Sequence, residues 1–144
     1  MPKFALGFMS AGLLFLVGCG GPPEPWPVHG KVTLDGNAVP NAKVMFTPVD
    51  PEVGTFGVAT TNDAGEYTIP KGTVDMNKPG TRPGEYYVRI STLFINEHPP
   101  EEDPRPNRPE LVPAKYNTES TLRRMVEAKD NVFDFELTNE APQD

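Results

Sequence analysis

Cysteine and histidine, the residues best suited to nucleophilic or metal chemistry, are scarce in this chain of 144 residues. The single cysteine, Cys19, follows an apolar run at residues 4–17, and the two histidines, His29 and His98, lie far apart. A nucleophilic triad needs a base that a third group orients, and neither histidine lies in such a signature. One cysteine forms no intramolecular disulfide and no cysteine-based metal site. The sequence therefore predicts that the protein is not an enzyme and binds no metal or cofactor.

Acidic and amide side chains near two predicted turns are the other possible metal ligands. Asp35, Asn37, Asn62 and Asp63 carry oxygen atoms of the kind that calcium prefers. Their spacing matches no EF-hand loop, and local hydrogen bonding explains Asp-Gly and Asn-Asp at turns. We therefore expect these residues to form turns rather than a calcium site.

Residues 1–18 have the pattern of a secretory signal peptide. Lys3 carries a positive charge, residues 4–17 are apolar apart from Ser10, and glycines flank Cys19. A helix over residues 4–17 would be about 21 Å long, less than the ~30 Å of a hydrocarbon core, so a transmembrane helix is disfavoured. A charged start, a short apolar stretch and small residues at its end are typical of a segment removed during export. The alternative is a plain signal peptide in which the cysteine is incidental.

The sequence "LVGC" at residues 16–19 resembles the lipobox of bacterial lipoproteins, whose cysteine is acylated after the signal is removed. The resemblance implies lipidation of Cys19 and export through the inner membrane. Gly20 stands where an aspartate would signal retention in the inner membrane, so the resemblance favours the outer membrane, at its periplasmic face or at the cell surface. Several acyl chains anchor a protein firmly, at about 0.8 kcal/mol per buried methylene.

The composition narrows the fold class and the partners. Hydrophobic residues make up 37% of the chain, 18 residues are prolines, and the formal net charge is −7. Proline removes a backbone donor and clashes with the preceding helical turn, so a mainly helical fold is disfavoured. Contacts with phosphates need clustered Lys and Arg, so nucleic acid is disfavoured as a partner. The length fits one domain.

The chain divides into four parts: a signal peptide (1–18), a lipidated cysteine with a proline-rich tether (19–27), one domain (28–138) and a short tail (139–144). Four prolines at residues 20–27 predict an extended tether on the order of 25 Å long. Trp26 lies either at the membrane interface or, as we expect, against the bottom of the fold.

Short segments of alternating polarity fill the domain, and period two indicates half-buried strands. Ala42, Val44 and Phe46 share one face of such a segment, as do Tyr86, Val88 and Ile90. Seven such strands without an amphipathic helix predict an all-β fold, a single antiparallel β-sandwich. Phe133, Phe135 and Leu137 share a face of the last strand. Arg124 falls on an inward face, and we expect it to lie at a sheet edge and to extend its charge outward.

Several motifs in this order resemble carboxypeptidase regulatory-like domains. They are "HGKVTLDGNAVPNAKVMFTP" at 29–48, "TTNDAGEYTI" at 60–69 and "PGEYYVRI" at 83–90. The segments "LVPAKYNTESTL" at 111–122 and "NVFDFEL" at 131–137 resemble the C-terminal part of small bacterial lipoproteins that carry this domain. The resemblance implies a prealbumin-like (transthyretin-like) sandwich of seven strands.

One enzyme with this fold, the transthyretin-related hydrolase of purine breakdown, works through histidines, an arginine and a C-terminal Tyr-Arg-Gly-Ser. This chain ends in "NEAPQD" and has only the two histidines already named. The resemblance therefore does not carry that activity over.

Residues 96–113 form a long segment that contains six prolines, acidic residues and the arginines Arg105 and Arg108. Long loops of this kind are either recognition elements or poorly ordered insertions, and the sequence leaves both open. Lys115 and Tyr116 either form a recognition corner or tie the loop down through the tyrosine hydroxyl. Tyr87 lies on an outward strand position and is a further candidate for binding.

These observations favour a non-enzymatic, membrane-anchored envelope lipoprotein whose sandwich is a structural or adaptor module for another protein. The alternative is a module that binds carbohydrate or another small ligand at the cell surface. The partners that we expect are the membrane, through the lipid anchor, and an envelope protein or a polysaccharide.

Overall fold

The computed structural model describes residue 21 and residues 23–52, 55–72 and 81–140. The described residues form nine strands and one 3₁₀ helix, which confirms the predicted all-β class. The strands are β1 (Val28–Leu34), β2 (Asn37–Ala38), β3 (Lys43–Pro48), β4 (Gly57–Thr60), β5 (Glu66–Ile69), β6 (Gly84–Ser91), β7 (Arg123–Val126), β8 (Asn131–Val132) and β9 (Phe135–Leu137). The 3₁₀ helix covers Ala114–Tyr116. Within these ranges, no helix has the length and apolar character needed to cross a membrane.

Two sheets pack around one apolar core, as in a β-sandwich. One sheet has the order β4-β3-β6-β7, and the other is built on β1, which pairs with β2 and β5 and, along its other edge, with β8 and β9. Phe46 of the first sheet stacks on Phe133 and meets the edge of Phe135, with ring centroids 6.1 and 6.4 Å apart. Burial of these rings is the main stabilising contact between the sheets.

The predicted alternation is confirmed in β3 and β6, the central pair of the first sheet. Ala42, Val44 and Phe46 are fully buried, and so are Tyr86, Val88 and Ile90. The two strands are antiparallel, with Val44 opposite Ile90 and Phe46 opposite Val88. Their inward side chains therefore form adjacent rows of one core.

The strand count differs from the predicted seven for local reasons. Asn37 and Ala38, predicted as part of a turn, pair with the end of β1 and form β2. The predicted last strand is divided at Phe133 and Asp134 into β8 and β9. At this break the Asp134 carboxylate accepts the backbone N–H of Lys31 at 2.8 Å, in place of a ladder carbonyl. The ladder is therefore interrupted without an inserted residue, because His29 lies opposite Val132 before the break and Val32 opposite Phe135 after it, in the same register.

The direction of β8 and β9 also differs from a purely antiparallel sheet. Both strands run parallel to β1, while every other pair of described strands is antiparallel. After β7 the chain turns at residues 127–130 and crosses to the other sheet, so β8 begins beside the start of β1. Two neighbouring strands that start at the same end must run in the same direction.

Arg124 lies where the sequence predicts, on β7 at the edge of its sheet. Its guanidinium lies 4.9 Å from the ring centroid of Phe135 and donates a hydrogen bond to the carbonyl of Arg123 at 2.7 Å. The side chain covers the aromatic core while its charge remains at the open edge, as the amphipathic character of arginine allows.

The sandwich has two distinct ends. At the tether end, Trp26 and Thr81 are joined by a backbone hydrogen bond of 2.7 Å, and the buried Thr81 hydroxyl donates to the Trp26 carbonyl at 2.8 Å. The expectation that Trp26 caps the fold is confirmed. Both β1 and β6 begin at this end and run to the opposite end, which we call the distal end, roughly 20 Å away for a strand of this length.

Candidate functional site

The segment that joins β6 to the 3₁₀ helix lies at the distal end, and we call residues 92–111 the distal loop. At its base, Phe94 and Arg108 exchange backbone hydrogen bonds of 3.0 and 2.8 Å. The Glu110 carboxylate accepts the N–H groups of Thr92 and Val112 at 2.9 and 3.0 Å and the hydroxyl of Ser91. The loop is therefore closed at its base by paired backbone groups and one carboxylate.

The outer part of the distal loop is organised around Asn96. The side-chain amide of Asn96 donates to the carbonyls of Asp103 and Arg105 at 2.8 and 2.7 Å, and its oxygen accepts the N–H of His98 at 3.1 Å. The backbone N–H of Asn96 donates to the side-chain oxygen of Asn107 at 2.6 Å. These hydrogen bonds join the two arms of the distal loop through one side chain.

Two carboxylates in the loop have lowered pKa values. The Arg105 side chain and backbone N–H donate to Asp103 and lower its pKa to about 2. Burial raises the pKa of Glu110, but the hydrogen bonds from Ser91, Thr92 and Val112 outweigh that effect, and the net pKa is lowered. Both groups are therefore anionic at neutral pH and hold the loop in this conformation.

The distal loop exposes three large aliphatic side chains. Leu93 is 51% exposed, and Ile95 and Leu111 are each 63% exposed. Between the first two lies Phe94, whose ring centroid is 4.7 Å from the Arg105 guanidinium and 5.2 Å from that of Arg108. The structure thus brings together two of the predicted binding residues, Arg105 and Arg108, on the ring of Phe94.

Tyr87 lies elsewhere, on the outer face of the β4-β3-β6-β7 sheet. Its ring is 37% exposed and lies 4.5 Å from the guanidinium of Arg123, which also donates to the tyrosine hydroxyl at 2.7 Å. Glu85 pairs with the same arginine at 3.3 Å, and the neighbouring Met125 is 57% exposed. Tyr, Arg and Met are enriched at protein interfaces. The cluster is a second possible contact surface, separate from the distal loop.

Lys115 and Tyr116 form hydrogen bonds with residues 138–140. The Tyr116 hydroxyl accepts the N–H of Thr138 at 3.2 Å, and Lys115 donates to the Thr138 hydroxyl at 3.3 Å and to the carbonyl of Glu140. Burial raises the pKa of Tyr116, but the hydrogen bonds to Thr138 and the Lys115 charge outweigh it and lower the net value. These contacts favour the alternative in which the tyrosine hydroxyl ties down another segment of the same protein, here at Thr138.

A groove of about 310 Å³ lies on the outer face of the β1 sheet. At Gly30, which lines the groove, the Phe133 carbonyl lies so close that a Cβ there would be 2.0 Å from the oxygen. The Tyr67 hydroxyl donates to the same carbonyl at 2.7 Å, and burial raises the pKa of this tyrosine. The other residues that line the groove are His29, Lys31, Glu66, Thr68, Val132 and Asp134.

His29 lies at the rim of this groove and pairs with Asp130 at 3.0 Å. The pair joins residues about a hundred positions apart, so neither the spacing nor the alternation could have revealed it. Within the described residues, no three His, Cys, Asp or Glu side chains are arranged to hold a metal ion. Donors and acceptors of both charges line the groove, which suits hydrogen bonding to a polar ligand.

Two of the turn residues weighed as calcium ligands have their oxygen atoms engaged in hydrogen bonds. The Asn62 oxygen accepts the N–H groups of Ala64 and Glu66 at 3.0 and 2.9 Å, which is the local bonding typical of turns. The Asp35 carboxylate instead accepts the backbone and side-chain N–H groups of the distant Asn139 at 3.0 and 2.6 Å. Cys19 lies outside the described residues.

Comparison with known proteins gives a remote likeness to one solved structure. No family model matches the chain, and no curated protein does. One solved structure, catechol 1,2-dioxygenase from Acinetobacter sp. ADP1 inhibited by bound mercury, is 22% identical with a TM-score of 0.36. That similarity covers 84% of this chain but only 54% of the dioxygenase chain.

Proposed function

We propose that the protein is a non-enzymatic lipoprotein of the cell envelope whose prealbumin-like sandwich is an adaptor that binds another envelope protein through the distal loop. The acyl chains on Cys19 anchor it, in the outer membrane, and the tether at residues 19–27 carries the domain. The resemblance to the lipobox and to carboxypeptidase regulatory-like domains supports the anchor and the fold assignment. The two facing sheets with a common core are compatible with that fold.

The observation that carries the adaptor role is the position and order of the distal loop. The loop lies at the end of the sandwich opposite Trp26, where the tether enters. It exposes Leu93, Ile95 and Leu111 at more than half of their surface. Its backbone is already held by Asn96 and Glu110, so binding requires little further loss of conformational freedom. A pre-ordered loop with exposed aliphatic side chains is suited to a protein contact.

A photo-crosslinking experiment tests the adaptor role. Benzophenone-alanine is introduced at Ile95 in the full-length protein in cells, and at Ala128, an exposed turn residue at the tether end, as a matched control. We expect one reproducible protein adduct from position 95 and none of the same mass from position 128. Equal adduct patterns at both positions, or none at position 95, would contradict the adaptor role.

The lipid anchor has its own test. Cells are labelled with an alkyne analogue of palmitate, and the wild type is compared with Cys19→Ser. We expect label on the wild type and none on the variant, with the wild type in outer-membrane fractions. Recovery of the wild type with inner-membrane markers would overturn the location, and an unlabelled wild type would overturn the anchor.

The groove favours a second candidate function, a module that binds carbohydrate or another small polar ligand. Hydroxyl-rich ligands need donors and acceptors at short range, and His29, Lys31, Glu66 and Asp134 provide both. Glycan arrays with the wild type, His29→Ala and Tyr87→Ala test this function. Binding that His29→Ala abolishes would place the ligand in the groove, while an array without any binding would remove this candidate.

A further inference from the structure

Arg108 is the side chain in the distal loop whose hydrogen-bonding capacity is least used. Its guanidinium forms no ion pair with any described residue, although Asp103 pairs with the neighbouring Arg105. Its Nε atom is buried and has no hydrogen-bond partner among the described residues. Leaving a buried charged donor without a partner costs free energy, so such a group in a folded protein needs an explanation.

The position of Arg108 is nonetheless fixed. Its backbone is paired with Phe94 in both directions, and its guanidinium lies 5.2 Å from the Phe94 ring centroid. Stacking on an aromatic ring orients the planar group and leaves its terminal N–H donors for other contacts. Arg105, on the same ring, differs because Asp103 binds it at 2.5 and 3.0 Å. Of the two guanidiniums, only that of Arg108 lacks a carboxylate.

The acidic residues of the loop do not neutralise Arg108. Glu102 pairs with His98 at 3.6 Å, and Glu110 is occupied by Ser91, Thr92 and Val112. Glu97 and Glu101 are exposed and form no ion pair among the described residues. A carboxylate from outside the chain would bind the terminal N–H groups of Arg108, which form no ion pair with the described residues.

We propose that Arg108 is the docking point for a carboxylate of the partner protein, an acidic side chain or the chain terminus. The inference rests on the proposed adaptor function and names the chemistry of its partner. A guanidinium binds a carboxylate through two parallel N–H···O bonds, which fixes orientation as well as affinity. The exposed Leu93, Ile95 and Leu111 favour a protein over an acidic polysaccharide, because a polysaccharide presents hydroxyl groups to these apolar surfaces.

The test uses the full-length protein in cells with benzophenone-alanine at position 95, in wild-type, Arg108→Gln and Lys129→Gln backgrounds. Lys129 is the control, because it is an exposed cation at the tether end that already has Glu127 as its partner. We expect Arg108→Gln to reduce the adduct about 30-fold, the size of an interface hot spot, and Lys129→Gln to change it less than twofold. Arg108→Lys keeps the charge without the planar group, and we expect an intermediate yield.

The outcomes separate this inference from the adaptor function. A wild-type adduct that Arg108→Gln leaves unchanged would overturn the carboxylate contact and leave the adaptor role standing. An absent wild-type adduct would overturn the adaptor role itself. An adduct that glycosidases degrade would overturn the protein partner. A charge swap gives a further test, in which Arg108→Glu is combined with an acidic-to-Arg change in the identified partner. Recovery of the adduct in this combination would confirm the contact between Arg108 and the partner's carboxylate, whether or not the single variants alter the loop.

Discussion

The two ends of the sandwich each contain an asparagine whose side-chain amide bonds to backbone carbonyls, but the two residues lie in different surroundings. At the tether end, Asn131 is 4% exposed, and its amide bonds to the carbonyls of Lys129 and Glu127 at 2.6 and 3.1 Å. At the distal end, Asn96 makes a similar set of bonds, but within a loop beside exposed aliphatic side chains. Both ends bury polar side chains, Thr81 and Asn131 at the tether end and Thr92 in the distal loop. The difference is that the Asn131 amide also bonds to the carbonyl of Pro27, at the other end of the sequence of the domain, whereas the bonds of Asn96 stay within one loop. We therefore expect Asn131 to support the fold as a whole and Asn96 to support only the proposed contact surface.

Asn131→Ala is the substitution that should separate the two ends most strongly. It removes the acceptor of the Glu127 N–H, at 2.9 Å, and the donor to the carbonyls of Glu127 and Lys129. Each hydrogen bond of this kind contributes about 0.5–1.5 kcal/mol, so we expect the loss of all three to lower the free energy of unfolding by about 3 kcal/mol. Urea denaturation of the purified lipoprotein measures this. A loss below about 1 kcal/mol would mean that the tether end is not the stabilising end.

Glu110→Gln should give a smaller effect that depends on pH. The pKa of Glu110 is lowered from its ordinary value of 4.5 in the folded protein. Its contribution to stability is therefore complete above that value and is lost as the pH falls through the lower pKa of the folded state. Above about pH 4.5, we expect the amides of residues 92–112 to be better protected from hydrogen exchange in the wild type than in Glu110→Gln. Below that pH, the difference between the two proteins should shrink. Parallel pH profiles for the two proteins would show that the carboxylate does not close the loop.

Asn96→Ala should have the smallest effect on global stability. Its bonds lie within the distal loop and do not reach the core, so we expect the free energy of unfolding to change by less than about 1 kcal/mol. Amide exchange in residues 96–107 should nevertheless become faster, because the loop loses its central hydrogen bonds. A destabilisation as large as that of Asn131→Ala would remove the distinction between the ends.

The sequence predicts the core better than the contacts that organise the ends. Alternation identifies Ala42, Val44 and Phe46 as buried, because a strand with one face in the core must repeat every two residues. Alternation does not show which strand is the neighbour, so it missed the parallel pairing of β8 and β9 with β1. It also predicted one strand at residues 131–137, because the break at Phe133 and Asp134 leaves both the register and the alternation unchanged.

The candidate sites were predicted only in part, for a related reason. Arg105 and Arg108 stood out as charges in a proline-rich segment, and the structure brings them together on Phe94. Asn96 and Glu110 passed unnoticed, because a residue that bonds to distant backbone groups leaves no periodic pattern. The pairing of His29 with Asp130 depends on the crossing of the chain between sheets, which local sequence does not specify.

Hydrogen exchange of the full-length lipoprotein, compared between isolated envelopes and detergent solution, tests the central claim most directly. If the distal loop is an ordered contact surface, peptides from residues 92–111 should be protected in detergent and exchange still more slowly in envelopes. Peptides from residues 127–132 at the tether end should exchange equally in both. Equal exchange of the distal loop in the two samples, or slowing confined to the tether end, would contradict the account.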